Sequence, residues 1–248
     1  MKTAVVIPSR YASTRFPGKP LALINGKTLI QRVIERAGKC KEIDLVAVAT
    51  DDKRIYDAVK SYGCKVFMTP KTCKSGTDRL AFAAKKYLSG YGIFINVQGD
   101  EPLIDPVLID SLAFELKKNK KLEFITAAFP IKKEEDINNP NIVKTVFDKD
   151  GYALYFSRYA IPYNRDKAKN VKYFKHMGIY GYKRDFLINF AKSKPSMLEK
   201  AENLEQLRAL ESGKKIKIII SGADSIGVDS PEDILKIEKF YLRLHKRS

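Results

Sequence analysis

Residues 3–19 read TAVVIPSRYASTRFPGK, and two different chemistries meet inside them. Ala4 to Pro8 is an apolar, β-branched run with no polar face, which predicts a strand covered on both sides. It gives way at once to a loop with three cations (Arg10, Arg15, Lys19), three hydroxyls (Ser9, Ser13, Thr14) and a Pro17-Gly18 turn. A buried strand ending in a cationic loop is the opening of an open α/β architecture, and the first half of the chain continues in that alternation.

Outward from this stretch, short apolar runs alternate with amphipathic segments. Thr28–Cys40 carries Leu29, Ile30, Val33, Ile34 and Ala37 on one stripe and predicts a helix. Leu45–Thr50 is the next strand and ends in Asp51-Asp52, acids placed at a helix N-terminus ahead of Ile55, Ala58 and Val59. Lys65–Thr69 is a strand. Ser75-Gly76-Thr77-Asp78 has the form of a capping box before a helix to about Leu88. Ile93–Gln98 is a further buried strand, and Pro106 opens another helix. Such alternation predicts a mostly parallel sheet covered by helices on both faces. Ligands of these sheets sit beyond the carboxyl ends of the strands, so Ser9–Lys19, Asp51-Asp52, Ser75–Arg79 and Gly99–Pro102 are expected on one rim. In the second half Phe124–Pro130, Ile142–Asp148, Ala153–Ser157 and Gly178–Lys183 read as strands with few helices between them, and the sheet is expected to be mixed there. Leu198–Glu211 and Pro231–Leu244 read as helices. No Gly-, Pro- or Ser-rich linker divides the 248 residues, so one domain spanning 1–248 is expected.

Charge narrows the partners. Lys and Arg number 46 against 29 acids, a formal +17, which favours anionic ligands but also fits a surface simply filled with lysine. Cys40, Cys64 and Cys73 are odd in number and form no C-x-x-C pair, which disfavours a disulfide framework or a zinc site and fits a reducing compartment. The first apolar run is too short for a signal-peptide core, and no stretch is long enough to span a bilayer. A soluble, cytoplasmic protein without stable membrane association is expected.

Two apparent phosphate loops fail. Gly26-Lys27-Thr28 lacks the upstream glycine, its place being held by Leu21; Gly18-Lys19 is followed by Pro20 and has Ser13 upstream. No G-x-G-x-x-G follows the first strand. The cationic loop nevertheless suits a triphosphate, with guanidinium forks, a mobile ammonium and turn amides as donors. Gln98-Gly99-Asp100-Glu101-Pro102 follows a strand whose end is on the rim, where Asp100 is placed to hold Mg²⁺ against phosphates. A second acid, Asp229, stands before the helix start at Ser230-Pro231-Glu232-Asp233; alone it reads as an acid assisting a helix N-terminus. With Asp100 and the basic loop it reads as part of a metal–nucleotide site. Of the two histidines, His245 lies in a basic tail and His176 opens a strand; no residue stands out as a covalent nucleophile. Scattered lysines without interleaved aromatics disfavour a nucleic-acid-binding module.

Nine segments occur in fixed order: VVIPSRYASTRFPGKPL, VATDD, SGTDRLA, VQGDEPLI, NPNIVK, GYALYFSR, HMGIYGY, LEQLR and GVDSPED. Together they closely resemble the CMP-Kdo synthetases, the 3-deoxy-manno-octulosonate cytidylyltransferases of lipopolysaccharide and capsule biosynthesis. The resemblance implies a Rossmann-like, GT-A-like nucleotidyltransferase fold, a three-layer α/β sandwich usually found as a homodimer, with about 130–190 forming a sugar-binding and dimerisation subregion. It implies the reaction CTP plus Kdo giving CMP-Kdo and pyrophosphate with Mg²⁺, two ions being expected with bound CTP. By resemblance Arg10, Ser13, Arg15, Lys19, Ser75, Arg79 and Gln98 contact the nucleotide, with Arg10, Arg15, Lys19 and Asp100 catalytic. Gln98, Arg158, Arg165, His176, Tyr180, Glu205 and Gln206 match the sugar-acid pocket, and Asp100 and Asp229 match the metal ligands. Cytidylyl activation of an 8-amino form of Kdo or of a nonulosonic acid remains open. Cys73 stands where histidine is frequent in the family.

Overall fold

The computed structural model describes residues 1–12 and 16–245. In chain order its elements are β1 (Thr3–Ser9), a 3₁₀ turn (Lys19–Leu21), β2 (Leu23–Ile24), β3 (Lys27–Thr28), α1 (Leu29–Ala37), β4 (Leu45–Thr50), α2 (Lys53–Ser61), β5 (Lys65–Met68), α3 (Gly76–Lys86), β6 (Ile93–Asn96), α4 (Pro106–Lys118), β7 (Phe124–Pro130), α5 (Glu134–Ile137), β8 (Lys144–Phe147), β9 (Ala153–Ser157), β10 (Phe174–Lys183), α6 (Arg184–Lys192), α7 (Met197–Glu202), α8 (Gln206–Glu211), β11 (Lys217–Ile220) and α9 (Pro231–His245).

The main sheet runs β11-β7-β10-β6-β1-β4-β5. β1 pairs in parallel with β4 and β6, β4 with β5, and β11 with β7; β10 alone on this path is antiparallel to its neighbours β6 and β7. Two antiparallel pairings in succession restore the direction, so β7 and β11 point the same way as β6. Every strand on this path except β10 therefore delivers its carboxyl end to one rim, and β10 delivers its amino end there. The β8–β9 hairpin hangs from β10 through the Lys175–Lys144 pair.

Alternation along β1 divides the core. Val5 and Ile7 point to a layer with Ile30 and Val33 of α1, Ile55 and Val59 of α2, and Leu108 and Leu112 of α4. Ala4 and Val6 point the other way, to Leu80 and Ala84 of α3 and to Phe186, Leu187 and Phe190 of α6. Burying both faces explains the unbroken apolar strands, since each buried large side chain contributes about 1.5–3 kcal/mol. On the second face Phe124 stacks on Tyr182 with centroids 4.8 Å apart. Gly181 of β10 is required by packing: a Cβ there would meet Ile125 Cγ2 at 2.6 Å and Leu116 Cδ1 at 2.8 Å.

The structure agrees with the expected α/β sandwich and corrects its details. The helix expected over Leu198–Glu211 is two helices, broken where Asn203 takes a left-handed φ of 52° as the C-cap of α7. β10 begins at Phe174, four residues before the expected strand, with a register shift between Met177 and Tyr180. α6, β11 and the small β2–β3 hairpin were not expected.

Candidate active site

Two adjoining clefts open on the rim. The first, about 360 Å³, lies between Ser9, Arg10 and Ala12 after β1, Lys19, Gly76 at the start of α3, and Gln98, Gly99 and Asp100 after β6. Gly18 precedes the Lys19 wall. Its φ of 72° admits glycine readily, its amide donates to the Tyr11 carbonyl at 3.0 Å, and it starts the 3₁₀ turn that presents Lys19. The Lys19 ammonium then donates to Asp100 Oδ2 at 2.6 Å and to the Val228 carbonyl at 2.7 Å. The Val228 amide donates to the Asp100 carbonyl at 2.8 Å. Three loops far apart in sequence thus meet around one cation.

Arg10 is exposed beside this junction and donates to the Lys74 carbonyl at 3.0 Å. Gln98 lines the first cleft and donates to Asn96 Oδ1 at 3.4 Å. Ser75 caps α3 by accepting from the Asp78 amide, and the Asp78 carboxylate accepts from the Ser75 amide, completing the capping box. Its hydroxyl also donates to Glu205 Oε1 at 3.0 Å. Ser13 and Arg15 lie outside the described residues. Arg79 is placed differently from the expectation. It is wholly buried, its guanidinium held by Asp51 Oδ2 at 2.9 Å and by Thr69, and it does not line the cleft. It is a strut beneath the rim.

The second cleft, about 300 Å³, is lined by Glu101, Asn141, Lys175, His176, Tyr180, Gln206 and Ser225, with apolar neighbours including Met177 and Leu204. It takes in the amino end of β10, which its antiparallel direction brings to the rim. His176 Nε2 is 2.9 Å from Thr126 Oγ1, and the ring meets Phe156 edge-on at 5.0 Å. Burial holds the imidazole down to a pKa of about 3, so it is neutral across the physiological range. Burial raises the Tyr180 phenol, whose hydroxyl donates to Gln206 Oε1 at 3.4 Å. Gln206 is buried, and its Nε2 has no protein partner among the described residues, leaving a donor for a ligand in this cleft.

Three other expected sugar contacts lie outside the second cleft, two of them engaged elsewhere. Glu205 bridges Ser75, Thr77 and Arg208 and ties the start of α8 to the start of α3; burial is the main cause raising its carboxyl. Arg158 donates to the carbonyls of Glu202 at 2.7 Å and Pro140 at 3.0 Å, clasping the β8–β9 hairpin to the end of α7. Arg165 is exposed on the segment between β9 and β10 and lines neither cleft. Conversely, Glu101, Lys175 and Ser225 line the second cleft without having been assigned roles from sequence. Glu101 hydrogen-bonds Ser225, and burial lifts its carboxyl to about 7.

The metal expectation can be weighed on the donor set. Among the described residues no group of three or more His, Cys, Asp or Glu side chains could hold a metal. Mg²⁺ brought by a polyphosphate needs only one or two carboxylates, the remaining ligands being water and phosphate oxygens. Asp100 already attracts an ammonium ion, and Asp229 directly follows the residue bonded to the Asp100 backbone. The Asp233 carboxylate accepts from the amides of Asp229 and Ser230, so capping of α9 is supplied by Asp233. These residues fit the ion.

His176 gives a test of its environment. A histidine held neutral in the fold stabilises it fully above the unfolded pKa of 6.5, and that stability is lost as pH falls from 6.5 towards about 3. His176→Gln is expected to flatten the fall of urea-unfolding free energy between pH 6.5 and 4. An unchanged acid limb would show that His176 carries no buried-neutral penalty.

The chain belongs to the cytidylyltransferase family, whose profile matches residues 4–216. Within it the chain falls with the CMP-Kdo synthetases. It is 53% identical over 250 aligned residues to the 3-deoxy-manno-octulosonate cytidylyltransferase of Thermodesulfovibrio yellowstonii, covering 96% of this chain and 98% of the relative. It is 50% identical, with the same coverage, to the 8-amino-3,8-dideoxy-manno-octulosonate cytidylyltransferase of Shewanella frigidimarina. A solved structure of CMP:2-keto-3-deoxy-manno-octonic acid synthetase complexed with CTP superposes with a TM-score of 0.93 at 42% identity, covering 98% of this chain and 99% of that one.

Proposed function

We propose that the chain transfers the cytidylyl group of CTP to the anomeric hydroxyl of 3-deoxy-manno-octulosonate, releasing pyrophosphate, for lipopolysaccharide or capsule biosynthesis. The observation that carries this reading is the junction of Lys19, Asp100 and Val228 in a polar cleft that adjoins a second, sugar-sized one. Lys19 and Arg10 offset the charge of the triphosphate, and Lys19 sits where charge grows on the departing pyrophosphate. Gln98 lines the first cleft. Tyr180, Gln206 and neutral His176 present hydrogen-bonding groups towards the acceptor, and Lys175, paired with Asp224, would have to exchange that partner to meet a carboxylate. Their rigidity orients the hydroxyl for in-line attack on the α-phosphorus, where positioning supplies most of what phosphoryl-type transfer needs. Asp100 and Asp229 would hold Mg²⁺; when bound, it adds positive charge against the phosphate oxygens.

We extend the reading to a cytoplasmic homodimer whose contact draws on residues 130–190. Exposed Leu154 (62%), Tyr159 (79%) and Tyr163 (83%) in that stretch support it. Among the described residues no helix is long and apolar enough to cross a membrane.

The test is pyrophosphate release. CTP with Kdo and Mg²⁺ is expected to turn over, whereas ATP, GTP or UTP with Kdo gives little. The 50% identity to an enzyme named for the 8-amino acid makes that sugar the second acceptor to assay. Preference for the 8-amino acid would reassign the acceptor, and no turnover with any CTP–ulosonate pair would sink the function.

A further inference from the structure

The loop after β11, residues 221–230, carries Asp229, and the loop after β6 carries Asp100. Three contacts fasten one to the other. The Val228 amide donates to the Asp100 carbonyl, Lys19 bonds both Asp100 and Val228, and the Ser225 hydroxyl donates to Glu101. The third contact is made by a carboxylate adjacent to Asp100 but pointing to the second cleft, where Glu101 and Ser225 line the wall together. Gly227 lies close over the same carboxylate, since a Cβ there would stand 3.4 Å from Glu101 Oε1.

We propose that Glu101 is a positioning residue which, through Ser225, holds the loop carrying Asp229 against the loop carrying Asp100 and thereby sets the affinity of the site for its divalent cation. The inference rests on the metal reading given above for Asp100 and Asp229. The loop leaves the sheet at Ile220 and does not regain regular structure until Pro231, so its path is fixed by such contacts. Val228 secures the backbone within one residue of Asp229, and Ser225 secures it four residues before. Asp224 on this loop pairs with Lys175 of β10, so removing the Ser225 contact leaves the loop attached to β10 but cuts its side-chain tie to the loop carrying Asp100, and loss of an outer contact of a metal-ligand loop costs metal affinity. The bond between Glu101 and Ser225 is also shared with the wall of the acceptor cleft, so the same side chain fixes both sites relative to each other.

The experiment compares Glu101→Ala, Ser225→Ala and Glu101→Gln. Amide deuterium exchange of the apo chain reads the loop, and electron paramagnetic resonance titration of Mn²⁺ in the presence of CTP, without sugar acid, reads the site. Glu101→Ala and Ser225→Ala are expected to speed exchange in 225–229 about fivefold or more, and to weaken Mn²⁺ binding about tenfold, with Tm nearly unchanged. Glu101→Gln keeps a carbonyl oxygen for Ser225 and is expected to retain slow exchange and most of the Mn²⁺ affinity. Faster exchange with unaltered Mn²⁺ affinity would overturn the proposal. So would a Glu101→Gln variant as impaired in Mn²⁺ binding as Glu101→Ala, which would make the effect one of charge. A wild-type chain that binds no Mn²⁺ with CTP would remove the metal reading itself and this proposal with it.

Discussion

Asp100→Ala is expected to lower turnover by at least about 10³-fold at any Mg²⁺ concentration while leaving the unfolding transition close to that of the wild type. The carboxylate is about one-third exposed and is bonded by Lys19, whose second bond to the Val228 carbonyl survives the substitution. The strand before it and the helix after it are anchored by Ile95, Val97, Leu108 and Leu112, all buried, so no core contact is lost. What disappears is the carboxylate that balances Lys19 and would hold a divalent cation beside the triphosphate, so the protein's own anchor for that cation is lost. Asp100→Asn separates shape from charge and is expected to be nearly as inactive. Turnover within tenfold of wild type at saturating Mg²⁺ would remove Asp100 from the chemistry. The comparison needs pyrophosphate release and a thermal melt on the same preparation.

Arg79→Met is the second large effect, and its currency is stability. The Arg79 side chain is wholly buried, and its guanidinium joins Asp51 at the end of β4 to Thr69 at the end of β5. Methionine fills most of the volume but strands the Asp51 carboxylate, which is 17% exposed. Breaking one side of a buried ion pair costs about 3–5 kcal/mol. Urea unfolding is expected to show that loss, and Arg79→Met with Asp51→Leu is expected to recover a large part of it. A loss below about 1 kcal/mol would show that the pair is not a strut. If the residue were instead a nucleotide contact, stability would hold and KM for CTP would rise.

The parallel half of the fold is legible because its strands are buried on both faces and its helices begin with side chains that cap. Ser75 and Asp78 announce α3, and Asp105-Pro106 announces α4. The second half is less so. Asn203 breaks an apolar pattern that continues through Leu204 and Leu207, and nothing local says that it turns left-handed. β11 has four residues, KIII, and α6 is read only once Phe186, Leu187 and Phe190 have a face to cover. The site divides in the same way. Lys19 and Asp100 are legible because charge at the end of an apolar strand has few structural uses. The partners of Arg79 and Glu205, Asp51 and Arg208, are not legible because they are set by distant packing. Glu101, Lys175 and Ser225 meet only through the antiparallel placement of β10 beside β7 and the return of β11.

The bond between Lys19 and Val228 joins residues 209 positions apart. A growing polypeptide emerging from the ribosome therefore has β1, β4, β5 and β6 in hand well before it has the carbonyl that fixes Lys19 beside the first cleft. Domains fold largely as their sequence becomes available, so an early parallel core can form while the cleft is still open on one side. Competence is a late event in the life of each molecule, withheld until nearly the whole chain has been made.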